Sequence, residues 1–242
     1  MPPLIEVRNL RYRYPDGTEA LRGVDFQLDR GETVALLGAN GSGKTTFVLH
    51  LLGLLDGEGE VRVCGLPVVK QHLREIRAKL GVVFQDPDEQ LFMPTVLEDV
   101  AFGPLNLGLP EEQAIRRAKE TLERVGMAGT HAKAPYHLSA GEKRRVALAG
   151  VLAMDPEILV LDEPTTFLDP PGQRELSLLL QRLPQAKLLV THNIRFALAL
   201  AGRAVFFEHG RVGCEGSVAE VVRRHQWDAF LAGPPEPAFP AP

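Results

Sequence analysis

Thr33-Val34-Ala35-Leu36-Leu37-Gly38-Ala39-Asn40-Gly41-Ser42-Gly43-Lys44-Thr45-Thr46 is an apolar run that ends in a glycine-rich turn. Five residues of that kind suit a strand buried on both faces of a parallel sheet. Residues 38–45 then fit the spacing Gly, four residues, Gly-Lys-Thr. That spacing lets backbone N–H groups turn inward around phosphate oxygens, with a helix N-terminus adding positive potential behind them. A helix is expected over residues 43–52. Gly38, Asn40, Gly41, Ser42, Gly43, Lys44, Thr45 and Thr46 are the candidate nucleotide-binding residues. Lys44 has the reach for β- and γ-phosphates, and the Thr45 hydroxyl suits Mg²⁺.

Three further short apolar runs lie outward from this stretch: Gly81-Val82-Val83-Phe84, Ile158-Leu159-Val160-Leu161 and Lys187-Leu188-Leu189-Val190. Each ends in polar residues, respectively Gln85-Asp86, Asp162-Glu163 and Thr191-His192. Ligands of open α/β sheets sit at the carboxyl ends of the strands, so these clusters are placed where a ligand would lie. An acid at the end of a buried strand is costly unless a cation or hydrogen bonds meet it. Asp162 is therefore suited to Mg²⁺ opposite Thr45, and Glu163 to polarising an attacking water.

Residues 4–26 read as strands around a Pro15-Asp16-Gly17 turn. Between Leu91 and Leu161 the character becomes helical. Pro110-Glu111-Glu112 opens a helix through Arg124, with acids at its positive end. Leu138-Ser139-Ala140-Gly141-Glu142 opens another through Met154, with Ser139 and Glu142 spaced as a capping box. A last helix is expected near 218–224. Five prolines in residues 233–242 mark an extended tail.

The 242 residues carry 27 Lys plus Arg against 31 Asp plus Glu, a net charge of −4 that disfavours nucleic acid as a partner. Two cysteines, Cys64 and Cys214, lack metal-ligand spacing and are too few for a disulfide framework, which suits a reducing, intracellular setting. The longest nearly apolar run, 146–154, is far short of the ~20 residues a membrane-spanning helix needs. The N-terminus has no basic stretch followed by an apolar core, so no secretory signal is expected.

Taken in order, these motifs resemble the nucleotide-binding subunit of an ABC (ATP-binding cassette) transporter over nearly the full chain. The matching set is the phosphate loop at 38–46, Gln85 after a strand, the signature at 138–142, the acidic strand at 158–163, the D-loop Thr166-Phe167-Leu168-Asp169 and the switch histidine His192. The segment Phe84-Gln85-Asp86-Pro87-Asp88-Glu89-Gln90-Leu91-Phe92, with Thr95 to Pro104 beyond it, is similar to the energy-coupling factor group, which energises uptake of cobalt, nickel or vitamins. Lys143-Arg144-Arg145-Val146-Ala147 resembles that group too.

The resemblance implies an α/β fold: a P-loop NTPase core with a mostly parallel sheet, an N-terminal antiparallel β subdomain and an inserted α-helical signature subdomain. It implies a single ATPase domain at 1–232, with the insert at about 88–155 and the Pro-rich tail at 233–242. It implies ATP and Mg²⁺, and catalysis by Glu163, His192, Gln85 and Lys44. Metal would be held by Thr45, Gln85 and Asp162. Tyr14 would stack on adenine, with Tyr12 as the competitor on the opposite strand face. Ser139 and Gly141 would meet the γ-phosphate of ATP held by a second ATPase subunit, identical or related, paired head to tail, and Asp169 would couple the two sites. A polytopic membrane subunit would be the other partner, placing the chain at the cytoplasmic face of the cell membrane.

Ala140 stands where the signature usually has glycine, Phe167 where a small residue is common, and Asn193 where aspartate is usual. These departures suit a slower site, or pairing with a different but related ATPase. Most apolar residues of 84–107 are expected in a helical core, with Phe92 the favoured exposed aromatic in a groove for a partner's coupling helix. Arg116-Arg117 and Arg223-Arg224 read as solvated helix faces. The rival readings are an exporter ATPase and a soluble ABC-type ATPase acting on DNA or ribosomes. Against the latter, no heptads separate Lys44 from Ser139.

Overall fold

A computed structural model describes residues 2–225, and the Pro-rich tail lies outside the described residues. In chain order the elements are β1 (Ile5–Arg13), β2 (Glu19–Leu28), β3 (Thr33–Leu37), α1 (Lys44–Leu51), β4 (Glu58–Val63), β5 (Leu66–Pro67), α2 (Leu73–Lys79), β6 (Leu80–Val83), α3 (Val96–Asn106), α4 (Glu111–Arg124), α5 (Ala140–Leu152), β7 (Ile158–Asp162), α6 (Pro170–Gln181), β8 (Ala186–Val190), α7 (Ile194–Leu200), β9 (Arg203–Glu208), β10 (Arg211–Gly216) and α8 (Val218–Arg224).

Two sheets form. The smaller has strand order β2-β1-β4-β5 and is antiparallel throughout. The larger has order β10-β9-β3-β8-β7-β6. Its strands β9, β3, β8, β7 and β6 are mutually parallel, and β10 returns antiparallel along the edge. The apolar runs become central strands because each buries both faces. In β3, Ala35 and Leu37 enter one core while Val34 and Leu36 enter the other. Likewise in β7, Leu159 and Leu161 face one core and Ile158 and Val160 the second. Strand alternation thus splits the apolar residues into two layers.

Between β6 and β7 the longer elements are all helical. Helices α3 and α5 each start with a capping box, formed by Thr95 with Glu98 and by Ser139 with Glu142. Helix α4 begins with Glu111 and Glu112 at its positive end. Val96, Val100, Ala118, Leu122, Val146 and Leu152 pack these helices into one core. Of the four arginines expected on solvated faces, Arg116, Arg223 and Arg224 are exposed. Arg117 is instead half-buried and donates to the Ala153 carbonyl, because its face of α4 turns toward the end of α5.

Because β3, β6, β7 and β8 run parallel, their carboxyl ends share one edge of the sheet. That edge carries the turn at 38–43, Gln85, Asp162-Glu163 and Thr191-His192, which the chain separates by more than a hundred residues.

Candidate active site

The turn after β3 needs its glycines. Gly38 has φ 141°, and a Cβ there would lie 2.2 Å from the Phe207 carbonyl oxygen. At Gly43, φ is 109° and a Cβ would meet the Ala20 carbonyl oxygen at 2.7 Å. Only glycine enters these conformations without strain. The turn delivers Lys44 to the first position of α1 with its ammonium folded back over the loop. Nζ donates to the carbonyls of Gly38 at 2.7 Å and Ala39 at 2.9 Å. Burial lowers the Lys44 pKa, opposed by the charges of Glu163 and Asp162. Lysine and the two acids therefore form one electrostatic cluster, although β3 and β7 are far apart in the chain. Asn40, Gly41 and Thr45 are exposed around the turn, while Ser42 is buried.

Glu163 is tightly held. Its φ of 42° is a left-handed conformation, unusual for a residue with a side chain and common where a site stores strain. Oε1 is 2.8 Å from His192 Nδ1. Oε2 accepts from the Thr191 hydroxyl at 3.2 Å and the His192 backbone N–H at 3.4 Å. An ionised carboxylate only accepts, so the imidazole carries its proton on Nδ1. The switch histidine and the acid at the end of β7 are thus in direct contact. Thr191, marked in the sequence only as part of the polar end of its strand, joins this cluster through its hydroxyl.

Burial raises the Asp162 pKa, the Glu163 charge adds to this, and Lys44 and Arg144 oppose it. Burial disfavours the charged carboxylate, and the exposed Thr45, next to Lys44 in the chain, offers a hydroxyl as a hard oxygen donor. That donor set, with a carboxylate that a cation would relieve, fits Mg²⁺. The raised pKa means that folding disfavours the charged form of Asp162 relative to the unfolded chain. Its charge destabilises the fold at neutral pH, and the penalty fades as pH falls through the folded pKa. Asp162→Asn is therefore expected to raise Tm of the nucleotide-free protein at pH 7, by about 2–4 °C per kcal/mol recovered, with the gain shrinking toward acid pH. A Tm that falls at pH 7, measured by calorimetry across pH, would contradict this.

Tyr14 lies just past β1, and its hydroxyl shares a 3.0 Å hydrogen bond with Thr46 Oγ1. The ring therefore hangs beside the start of α1. Tyr12 does not lie on the opposite face, as expected. Tyr14 has left the strand beyond a register shift at Tyr12/Arg13, and the two rings meet edge to face at 5.0 Å on one side. Tyr12 also packs against buried His50 at 4.8 Å, which makes it part of the core edge.

Ser139 is the N-cap of α5, with Oγ accepting from Glu142 N–H and Glu142 Oε2 accepting from Ser139 N–H at 2.8 Å. The capping reading of this stretch is therefore present as expected. A Cβ on Gly141 would lie 3.7 Å from Leu168 Cδ2, so the signature abuts the 166–169 loop. Asp169 is exposed and caps α6 through Gly172 N–H at 2.9 Å. Phe167 is 72% exposed with φ 65°. Asn193 caps α7 and donates to Gln173 Oε1 at 3.0 Å. Gln85 is exposed at the end of β6.

Arg144 is the residue the motifs missed most clearly. It is 2% exposed, and its guanidinium reaches the carbonyls of Phe84 and Gln85, each at 2.6 Å, and of Thr166 at 3.3 Å. A signal existed. Arg144 shares the helical face of Ala147, Leu148 and Val151, all buried, and an arginine on an apolar face needs partners.

A glycine-rich turn, a lysine on the following helix and an acidic strand end on a parallel sheet define a P-loop ATPase. The family model described as "ABC transporter" matches residues 21–166, more than half of the chain. An energy-coupling factor transporter ATP-binding protein of Methanothermobacter thermautotrophicus is 50% identical over 226 residues, covering 91% of this chain and 73% of that protein. Its counterpart in Methanocaldococcus jannaschii is 47% identical over 224 residues, covering 90% and 80%. Among solved structures, cbiO1 from Clostridium perfringens, part of the ABC transporter complex cbiONQ, superposes with TM-score 0.85 at 36% identity, covering 97% of each chain. The dimeric cassette MJ0796, in a post-hydrolysis state bound to ADP and Pi, gives TM-score 0.79 at 29% identity, covering 88% of this chain and 98% of that one. The chain belongs to the ABC transporter family. It is an ATP-binding subunit of that kind, an ATPase with the ABC fold. No helix among the described residues is long and apolar enough to cross a membrane.

Proposed function

We propose that the chain energises uptake of a metal ion of the cobalt or nickel kind, or of a vitamin, as the ATPase of an energy-coupling factor transporter at the cytoplasmic face of the membrane. The relatives named above support uptake. On this reading residues 1–232 are one ATPase domain with a helical insert at about 88–155, and two ATPase subunits pair head to tail.

The observation that carries docking to a membrane subunit is a cavity of about 520 Å³ between the sheet edge and the insert. Phe92 and Phe102 line it, meeting edge to face at 5.0 Å, with Phe92 62% exposed. Arg74 and Arg77 stand on the same lining as Val146, Val151 and Met154. An apolar floor with exposed aromatics suits the apolar face of a short helix. Val82 on one side of Gln85 and Gln90 to Phe92 on the other line the groove, which ties it to the site.

In the proposed mechanism, Lys44 and the backbone N–H groups of residues 38–46 hold the phosphates, and Tyr14 stacks on adenine. Glu163 accepts a hydrogen bond from the attacking water and orients it in line with the γ-phosphate. His192 and Thr191 hold Glu163 in that pose, and His192 faces the γ-phosphate. Ser139 and Gly141 at the start of α5 present a helix N-terminus to the ATP of the paired subunit, and Asp169 links the two sites. Thr45, Gln85 and Asp162 would hold Mg²⁺, which would supply positive charge to the phosphate oxygens.

The test is a pull-down from solubilised source membranes with the tagged Glu163→Gln variant and Mg-ATP. Recovery of a polytopic membrane protein supports the reading, and metal or vitamin uptake by the recovered complex separates it from an exporter. Recovery of soluble proteins or nucleic acid alone overturns it. Phe92→Glu is expected to cut recovery of the membrane protein at least tenfold while changing the chain's own ATP affinity less than twofold. Undiminished recovery would remove Phe92 from the interface.

A further inference from the structure

Three consecutive cations in the second turn of α5 each grip a different neighbour. Lys143 Nζ reaches Asp88 Oδ1 at 2.5 Å, and Arg145 Nη1 reaches Glu175 Oε2 on α6 at 3.0 Å. Both partner acids are exposed, and such surface pairs hold little. Arg144 differs. Its side chain is buried, and it spends its charge on backbone carbonyls. Nη1 donates to Phe84 O, and Nη2 to both Gln85 O and Thr166 O, while Nε has no hydrogen-bond partner among the described residues. The charges of Asp86 and Asp162 favour the guanidinium against its burial.

Backbone carbonyls do not move when side chains change rotamer. A planar guanidinium bonded to three of them fixes the relative position of the segments that carry them. Those segments are the strand end that carries Gln85 and the loop that leads to Asp169. The third body is α5, whose first residues are the signature. Carbonyls 60, 59 and 22 residues away in sequence therefore converge on one side chain.

We propose that Arg144 is a positioning residue, the joint through which the signature end of α5 holds Gln85 and the 166–169 loop in register with the site. This rests on the reading of Gln85 and Asp169 as site residues. A displacement of α5, whether by ATP of a paired subunit at its N-terminus or by a helix in the groove beside it, then carries both loops with it. A lysine would keep the charge but lose the fork, and a methionine would keep the bulk and lose both.

The experiment compares Arg144→Met and Arg144→Lys with the parent chain, together with Glu163→Gln. Arg144→Met is expected to lower kcat by about 10- to 100-fold, the cost of a displacement near 1 Å, with the Kd for ATP within about twofold. Arg144→Lys should recover part of that loss. Hydrogen exchange should quicken together in residues 84–90 and 166–169 of Arg144→Met, and remain unchanged in residues 38–45. Turnover of Arg144→Met within twofold of the parent overturns the proposal. So does faster exchange spread over the whole chain with ATP binding lost in proportion, which marks a merely structural residue. If Arg144→Met does not fold, Arg144→Lys decides: kcat lowered several-fold at unchanged Kd supports the joint, and parental kcat and exchange overturn it. Normal turnover by Glu163→Gln would instead show that the site reading is at fault, since the exchange result reads the three hydrogen bonds without any turnover.

Discussion

Lys44→Ala is expected to lose ATP binding and turnover together. Lys44 is 8% exposed, and its ammonium lies over the turn, bonded to the Gly38 and Ala39 carbonyls. It is a positive charge that the fold keeps desolvated beside Asp162 and Glu163. Alanine leaves two acids facing the phosphates with the nearest cation of the loop gone. Charge-assisted hydrogen bonds are worth about 1.5–3 kcal/mol each, so losing two to phosphate oxygens weakens ATP binding by about 100-fold or more. Titration calorimetry with Mg-ATP measures this directly, and circular dichroism confirms that the variant is folded. Binding within threefold of the parent would remove Lys44 from the phosphate site.

Glu163→Gln separates binding from chemistry. Glutamine keeps the shape and still offers one oxygen to the Thr191 hydroxyl, so the loop at 163–169 stays in place. What goes is the acceptor charge that orients and polarises water. General-base contributions run about 10²–10⁴-fold, and kcat should fall by that much. The Kd for ATP should hold or tighten, because one negative charge near the phosphates is gone. Retained turnover in a single-turnover assay would exclude Glu163 as the group that activates water. His192→Ala offers the matching contrast: it frees Oε1 but leaves the bonds to Thr191 and to the backbone N–H of residue 192.

Much of this site is legible without coordinates because its signals are local. The apolar run 33–37 and the glycine spacing at 38–43 specify a buried strand, a turn and a helix start. Strand β3, helix α1 and their junction fall there. The Ser139–Glu142 capping box needs only four residues, and it forms as its spacing requires. The ends of β6, β7 and β8 at Val83, Asp162 and Val190 fall within a residue of where the apolar runs meet polar residues.

Other features needed the tertiary structure. Strands β9 and β10 take their meaning from pairing beside β3 rather than from their own pattern. Thr191 matters because its hydroxyl meets a carboxylate 28 residues earlier. Tyr14 is distinguished from Tyr12 by a hydroxyl partner 32 residues away, although both rings lie on one side.

The sequence by itself determined the class of fold, the phosphate loop, the acidic strand end and the capped signature helix. Each rests on backbone conformations and side-chain periods that neighbours along the chain dictate. Only the tertiary structure decided which three backbone carbonyls meet the Arg144 guanidinium, that the Thr191 hydroxyl joins His192 in holding Glu163, and that Phe102 lines the groove beside Phe92. These depend on which distant segments share a boundary, and on what each boundary leaves desolvated. Which distant carbonyl or hydroxyl meets a buried charge is a property of that packing, and no window of the chain contains it.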